Sequence, residues 1–353
     1  MSNQNKTISL ESLKSTVLTS EKIPTGITAF DQIIGGGFET TGTIVQLVSS
    51  SGLGKTTIAC QICKNLCEND KKILYIDSEG SICLEQLESI GLLDYLDSSF
   101  FLIRTSTFKT IEKTMDMFIA TGEIDFIVVD SLSSIMHDGF NDLSQNKGKS
   151  DDSKEKNNAI SISTNNSNYN SRQLTLFLSK YSMVSKQRGI SMLYINQFRT
   201  RITNLFNYAE EKIGGAKNVK YTSDIIIKIS DNISKKNKSF TTFIKSEEYE
   251  PEGKYLEFEI VKSNKAKPGK KIPFKLFYGL GISNFYNLMF PLFDKGIINL
   301  DHGNYIFTPY DEDKSAFIED KKETYKGITA LINCYDYLAR KSSKTIDDFY
   351  KSI

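Results

Sequence analysis

Residues 43–57 read Thr-Ile-Val-Gln-Leu-Val-Ser-Ser-Ser-Gly-Leu-Gly-Lys-Thr-Thr. An apolar run passes into a glycine-bearing loop and then into a helical pattern, which predicts strand, phosphate-binding loop and helix. Gly52 and Gly54 let the backbone curl so that the N–H groups of Ser50, Ser51, Leu53 and their neighbours up to Thr57 face a chain of phosphates. Lys55 can reach the β/γ-phosphates, and the Thr56 hydroxyl can hold Mg2+. The helix that follows adds the positive end of its dipole. Ser49 stands where the usual pattern opens with glycine. A left-handed Ser49 would cost on the order of 1–2 kcal/mol.

The surrounding composition suits a globular protein. A chain of 353 residues, 39% hydrophobic and 25% charged, can hold two domains or one large domain with appendages. Its formal charge of +1 neither demands nor excludes nucleic acid, because binding needs a local basic patch. No run approaches the length of a membrane helix, and Met1-Ser2-Asn3-Gln4-Asn5-Lys6 carries no apolar signal core, so a cytoplasmic location is expected. Five cysteines, an odd number, argue against a disulfide scaffold. Cys60, Cys63 and Cys67 share one helix face and are expected to pack in the core. His137 and His302 are isolated, which suits structural or solvent-exposed positions better than ligands.

Outward from the loop, the runs Ile73–Asp77, Phe126–Asp130 and Ser191–Asn196 are apolar and end in polar residues. Continuous apolarity predicts strands buried on both faces of a mainly parallel sheet, with the polar residues gathered at its carboxyl edge. Leu10, Leu13 and Val17 form one stripe of a short helix expected to dock on the core or on a neighbouring subunit. Residues 141–171, rich in Asn, Ser and Lys, are expected to form a mobile insertion. Residues 231–254 are expected to give a strand pair at a sheet edge. A hairpin around residues 301–304 is expected between helices in a small C-terminal region.

Nucleotide hydrolysis needs a carboxylate near the metal and a group that positions water. Asp130, at the end of an apolar strand, suits the first role, so Thr56 and Asp130 are the expected metal holders. Glu79, just past Asp77, is the candidate base. Gln197 could sense the γ-phosphate with a neutral amide. Lys55, Glu79 and Gln197 thus form the candidate catalytic set.

The order of these motifs resembles the RecA family of recombinases. The resemblance runs through Ile23–Asp31, Gly35-Gly36-Gly37, the phosphate loop, Ile76–Glu79, Ile127–Ser131, Ile195–Arg199 and Tyr278–Ile282. It implies an α/β fold: a RecA-type P-loop ATPase core with a mostly parallel central sheet flanked by helices. A short N-terminal helix in residues 1–22 and a small α/β C-terminal domain in 283–353 would flank a core of 23–282. Mobile DNA loops would lie near 138–172 and 198–215. The implied activity is ATP- and Mg2+-dependent polymerisation on single-stranded DNA as a helical filament, with strand exchange into a homologous duplex.

By the same resemblance, Glu79 is the catalytic glutamate and Gln197 the switch to a DNA-binding loop at 198–215. In that loop Arg199 and Arg201 can neutralise phosphates, Gly214 and Gly215 can bring backbone N–H groups close, and Ile202, Leu205 and Phe206 can wedge between bases. Arg172 matches a DNA-contacting arginine. Lys262 and Lys265 resemble the lysines that reach the neighbouring subunit's ATP, although the family spacing is Lys-x-Lys. Ser49, Ser50 and Ser51 replace Gly, Pro and Glu, and Gln86 stands where the family stacks a tyrosine on adenine. A regulatory or mediator ATPase, a ring motor and a non-hydrolysing DNA-binding paralogue are the alternative readings.

Overall fold

The computed structural model describes residues 21–136, 152–202, 209–213, 219–231, 253–264 and 266–284, with short strand segments at 239–240 and between 298 and 326. The chain divides into two compact units, Met1–Ile282 and Ser283–Ile353.

In the first unit, β1 (Lys22–Ile23) pairs with β2 (Phe38–Glu39) ahead of the main sheet. That sheet begins with β3 (Ile44–Ser49), β4 (Ile73–Asp77), β5 (Phe100–Arg104) and β6 (Phe126–Asp130). It continues with β7 (Ser191–Ile202), β8 (Ala209–Ile213), β9 (Ile225–Ser230) and β10 (Ser239–Phe240). It is completed by β11 (Gly253–Ser263), β12 (Lys271–Phe277) and β13 (Gly281–Ile282). The spatial order is β5-β4-β6-β7-β3-β9-β11-β12-β13. From β5 to β9 all pairings are parallel; from β9 to β13 they are antiparallel. The sheet is therefore mostly parallel, with an antiparallel extension on one side. The expected strand pair within 231–254 is present as β10 against the start of β11.

Apolar runs become strands here because both faces are covered. Val45 and Leu47 pack on one side with Ile58, Ile62 and Leu66 of helix Lys55–Cys67. Ile44, Ile127 and Val129 pack on the other with Ile111 and Met115 of helix Phe108–Thr121 and Phe177 of helix Asp152–Arg188. Cys60, Cys63 and Cys67 are buried in the first of these layers, and burial pushes all three thiols up, Cys67 to about 12.

Two elements differ from expectation. Residues 152–171, expected within a mobile insertion, have helical backbone as part of Asp152–Arg188. Helix nucleation is costly and propagation is not, so the well-packed half around Leu174, Phe177 and Tyr181 can extend through weak helix formers. Likewise, the expected loop at 198–215 contains a two-stranded ribbon. Phe198–Ile202 of β7 pairs antiparallel with β8, with Arg201 opposite Glu210 and Arg199 opposite Lys212.

Helix Thr28–Ile34 carries a partly buried acid. Asp31 Oδ1 accepts the Thr25 backbone N–H at 2.8 Å, and burial raises its carboxyl from 3.8 to about 6 despite hydrogen bonds from Thr25 and Gly26. The folded state thus holds this proton more tightly than the unfolded chain. The group's favourable contribution is complete below pH 3.8 and is lost as pH rises to about 6. Asp31→Asn, which keeps the acceptor but not the charge, is expected to be more stable than wild type at pH 7 by on the order of 1–2 kcal/mol. Urea unfolding should show that advantage vanishing near pH 4; a less stable variant at pH 7 would contradict it.

In the second unit, β14 (Ile298–Asp301) pairs with β15 (Asn304–Phe307), with Asp301 opposite Asn304, as expected for the hairpin. The short strands β16 (Tyr310–Asp311) and β17 (Ala316–Phe317) pair with each other, and β18 (Glu323–Lys326) pairs with β15. The helices expected here and in residues 1–20 lie outside the described residues, as do His137 and His302. No helix among the described residues is long and apolar enough to cross a membrane.

Candidate nucleotide site

The carboxyl ends of β3, β7, β6 and β4 lie side by side, with Ser49 opposite Gln197 and Asp77 opposite Asp130. A cleft of about 350 Å³ opens there, within the usual range for small-molecule sites. It is lined by Ser51, Gly52, Gly54, Lys55, Thr56, Thr57, Glu79, Asp130 and Gln197. The far wall is Leu276, Phe277, Tyr278 and Gly279, with Ser81 and Gln86 also on the lining. Ser50 and Leu53 belong to the loop but not to this lining: the Ser50 carbonyl accepts from Lys55, and Leu53 packs on the core.

Gly54 caps the helix Lys55–Cys67 at φ 78°, a left-handed conformation that glycine adopts without strain. A Cβ there would also press on the Leu276 Cδ2 methyl, which would have to shift to admit it. Ser49 escapes left-handed strain because it ends β3 in extended conformation; the non-glycine residues at positive φ among those described are Asp70 and Asp97. Its hydroxyl donates to the Ser50 carbonyl at 2.6 Å and accepts from Lys55 Nζ at 2.8 Å. Lys55 Nζ also donates to the Ser50 carbonyl at 2.9 Å. The ammonium is thus parked on the loop's own oxygens. Burial lowers its pKa, and the charges of Asp130 and Glu79 oppose that shift.

Asp130 is almost wholly buried and accepts Thr56 Oγ1 at 2.7 Å and the Tyr75 hydroxyl at 2.8 Å, both on Oδ2. Burial raises its carboxyl to about 6; the two hydroxyls lower it, and the nearby Glu79 and Asp77 carboxylates raise it further. A carboxylate held this way gains from a cation. Hydroxyl and carboxylate oxygens suit Mg2+, a hard ion, so Thr56 and Asp130 fit the expected donor set.

The turn after β4 presents Glu79. Asp77 shapes it by accepting the N–H groups of Ser81 at 3.1 Å and Ile82 at 3.3 Å. Ser78 fastens the turn to β6, its N–H on the Asp130 carbonyl at 2.7 Å and its hydroxyl on the Ser131 carbonyl at 2.8 Å. The Asp130–Ser131 peptide bond is cis. Glu79 Oε1 then accepts Gln197 Nε2 at 2.8 Å, Ser131 Oγ at 2.5 Å and Ser134 Oγ at 2.8 Å.

The structure therefore brings Lys55, Thr56, Glu79, Asp130 and Gln197 to one place. It does not bring Lys262 there: in β11, Lys262 Nζ donates to the carbonyls of Ser223 at 2.7 Å and Tyr221 at 3.4 Å. Arg172 is exposed on helix Asp152–Arg188. Arg199, Arg201 and Ile202 have their backbone in β7, whereas Leu205, Phe206, Gly214, Gly215 and Lys265 lie outside the described residues. Sequence reasoning missed Tyr75, Ser134 and the placement of Tyr278 in the cleft wall. Tyr75 sits inside an apolar strand and reads as core. Ser134 had a signal, its three-residue spacing from Ser131 on one helical turn.

Fold and site define a phosphate-loop α/β protein of the nucleotide-binding class. The family model described as the RecA N-terminal domain matches residues 4–283. The chain belongs to the RecA family, as a divergent member. It is 26% identical over 263 residues to "Protein RecA" of Bifidobacterium breve, covering 74% of this chain and 59% of that protein. It is 24% identical over 322 residues to "Protein RecA, plasmid" of Lactococcus lactis subsp. lactis, covering 91% and 84%. With "Protein RecA" of Saccharopolyspora erythraea it shares 25% over 279 residues, covering 79% and 71%.

Proposed function

We propose that the protein is a DNA-dependent ATPase that assembles as a filament on single-stranded DNA and pairs it with a homologous duplex in recombination and repair. One observation carries this reading: the cleft and the ribbon share a strand. Gln197 lines the cleft, and the same β7 backbone runs on through Arg199 and Arg201 into its pairing with β8. A shift of Gln197 toward a terminal phosphate would pull directly on that ribbon, where the arginines would meet DNA phosphates.

Within the cleft, Lys55 would exchange the loop oxygens for β/γ-phosphate oxygens. Thr56 and Asp130 would hold Mg2+, which when bound supplies charge to the phosphates. Glu79 would orient the attacking water and take its proton. Gln86 and the Tyr278 ring, which is 48% exposed, would bound the base. Lys262, held away from its own cleft, would serve a neighbouring protomer's nucleotide. Arg172, with Ile202, Leu205, Phe206, Gly214 and Gly215, would complete the DNA contacts.

Fluorescence anisotropy of a labelled single strand tests the coupling. Binding should be tighter with a slowly hydrolysed ATP analogue than with ADP, and strand exchange should follow with ATP. Equal affinity in both nucleotide states, without exchange, would remove the switch from the account.

A further inference from the structure

We infer that Ser134 is a positioning residue that, with Ser131, keeps the Glu79 carboxylate in place while Gln197 changes partners. The inference rests on the proposed hydrolysis at Glu79 and adds a residue to it.

Glu79 is exposed and would by itself turn freely. Its Oε1 instead accepts three donors: Ser131 Oγ at 2.5 Å, Ser134 Oγ at 2.8 Å and Gln197 Nε2 at 2.8 Å. That oxygen is saturated, so Oε2 is the one left to meet a water among the described residues. The three holds are not equivalent. Gln197 has a second task in the proposed switch, a terminal phosphate, and a turn toward it would draw the amide away from Glu79. The two serines have no such competing task.

Their platform is stiff. Ser131 precedes and Ser134 ends the helical turn Leu132–Ser134 directly after β6, a turn pinned by the buried side chains of Leu132 and Ile135. The Ser134 N–H donates to the Ser131 carbonyl at 3.1 Å, and Ser78 Oγ donates to the same carbonyl at 2.8 Å. Ser131 Oγ spends its proton on Glu79 and lies 2.9 Å from Ser133 Oγ, which can donate to it in turn. When Gln197 leaves, two of three hydrogen bonds remain on an anchored turn. The general base thus keeps its orientation through the switch.

The test compares full-length wild type, Glu79→Gln, Ser134→Ala and Ser134→Thr in steady-state ATP hydrolysis with saturating single-stranded DNA. Ser134→Ala should lower kcat roughly tenfold and leave KM for ATP within about twofold. Ser134→Thr, which keeps the hydroxyl, should recover most of that kcat. Wild-type affinity of Ser134→Ala for a fluorescent ATP analogue would establish that the cleft is intact. Wild-type kcat in Ser134→Ala, or no recovery in Ser134→Thr, beside an inactive Glu79→Gln overturns the role of Ser134 and leaves hydrolysis at Glu79 standing. Absence of Glu79-dependent turnover in the wild type overturns both.

Discussion

Glu79→Gln is expected to bind ATP and single-stranded DNA with near wild-type affinity and to lose turnover by roughly 10²- to 10⁴-fold. The side chain keeps its shape, and the amide oxygen can still accept from Ser131, Ser134 and Gln197, so the turn after β4 has no cause to move. What disappears is the ability to take a proton from water. Phosphate release against time gives the rate, and a fluorescent nucleotide gives the affinity. Hydrolysis close to wild type would show that Glu79 is not the base, whatever its neighbours.

Lys55→Ala should act earlier, at binding. Lys55 is 8% exposed as a residue, and its ammonium rests on Ser49 and Ser50, within the loop it would share with phosphates. Without it, a polyanion would enter the cleft beside the Asp130 and Glu79 carboxylates with the loop's own cation missing. ATP affinity should fall at least ~100-fold, the scale of a lost charge-assisted contact. The fold should survive, because removing a partly desolvated charge also removes its burial cost. Nucleotide titration together with a thermal melt separates the two effects; unchanged affinity in a folded variant would contradict the assignment.

Much of the fold and the cleft is legible in the amino-acid sequence because the decisive information is local. β3, the loop and helix Lys55–Cys67 form one contiguous segment, and each piece announces itself by its own residue pattern. Asp130, Glu79 and Gln197 stand out because a polar residue at the end of a strand buried on both faces has little choice but the sheet edge. Pairing order is not legible. Nothing in the apolar runs distinguishes β9 from β6 as neighbours of β3 and β7, nor shows that β11 to β13 turn antiparallel.

Tyr75 is hidden for a different reason. Its ring packs in the core while its hydroxyl reaches Asp130, and a pattern of hydrophobicity records only the ring. The helical stretch 152–171 escapes a reading by composition, which reports local preference, whereas a helix can be carried outward from a packed end. The ribbon of 198–202 against 209–213 escapes because its pairing depends on which residues face each other, and the glycines that follow read as loop.

The central claim is that this cleft hydrolyses ATP and that DNA on the β7–β8 ribbon controls the rate. ATP hydrolysis measured with Mg2+, in the presence and absence of single-stranded DNA, tests it most directly. The account predicts slow turnover alone and a marked rise when single-stranded DNA is added. Turnover that is absent in both conditions, or equal in both, would contradict it.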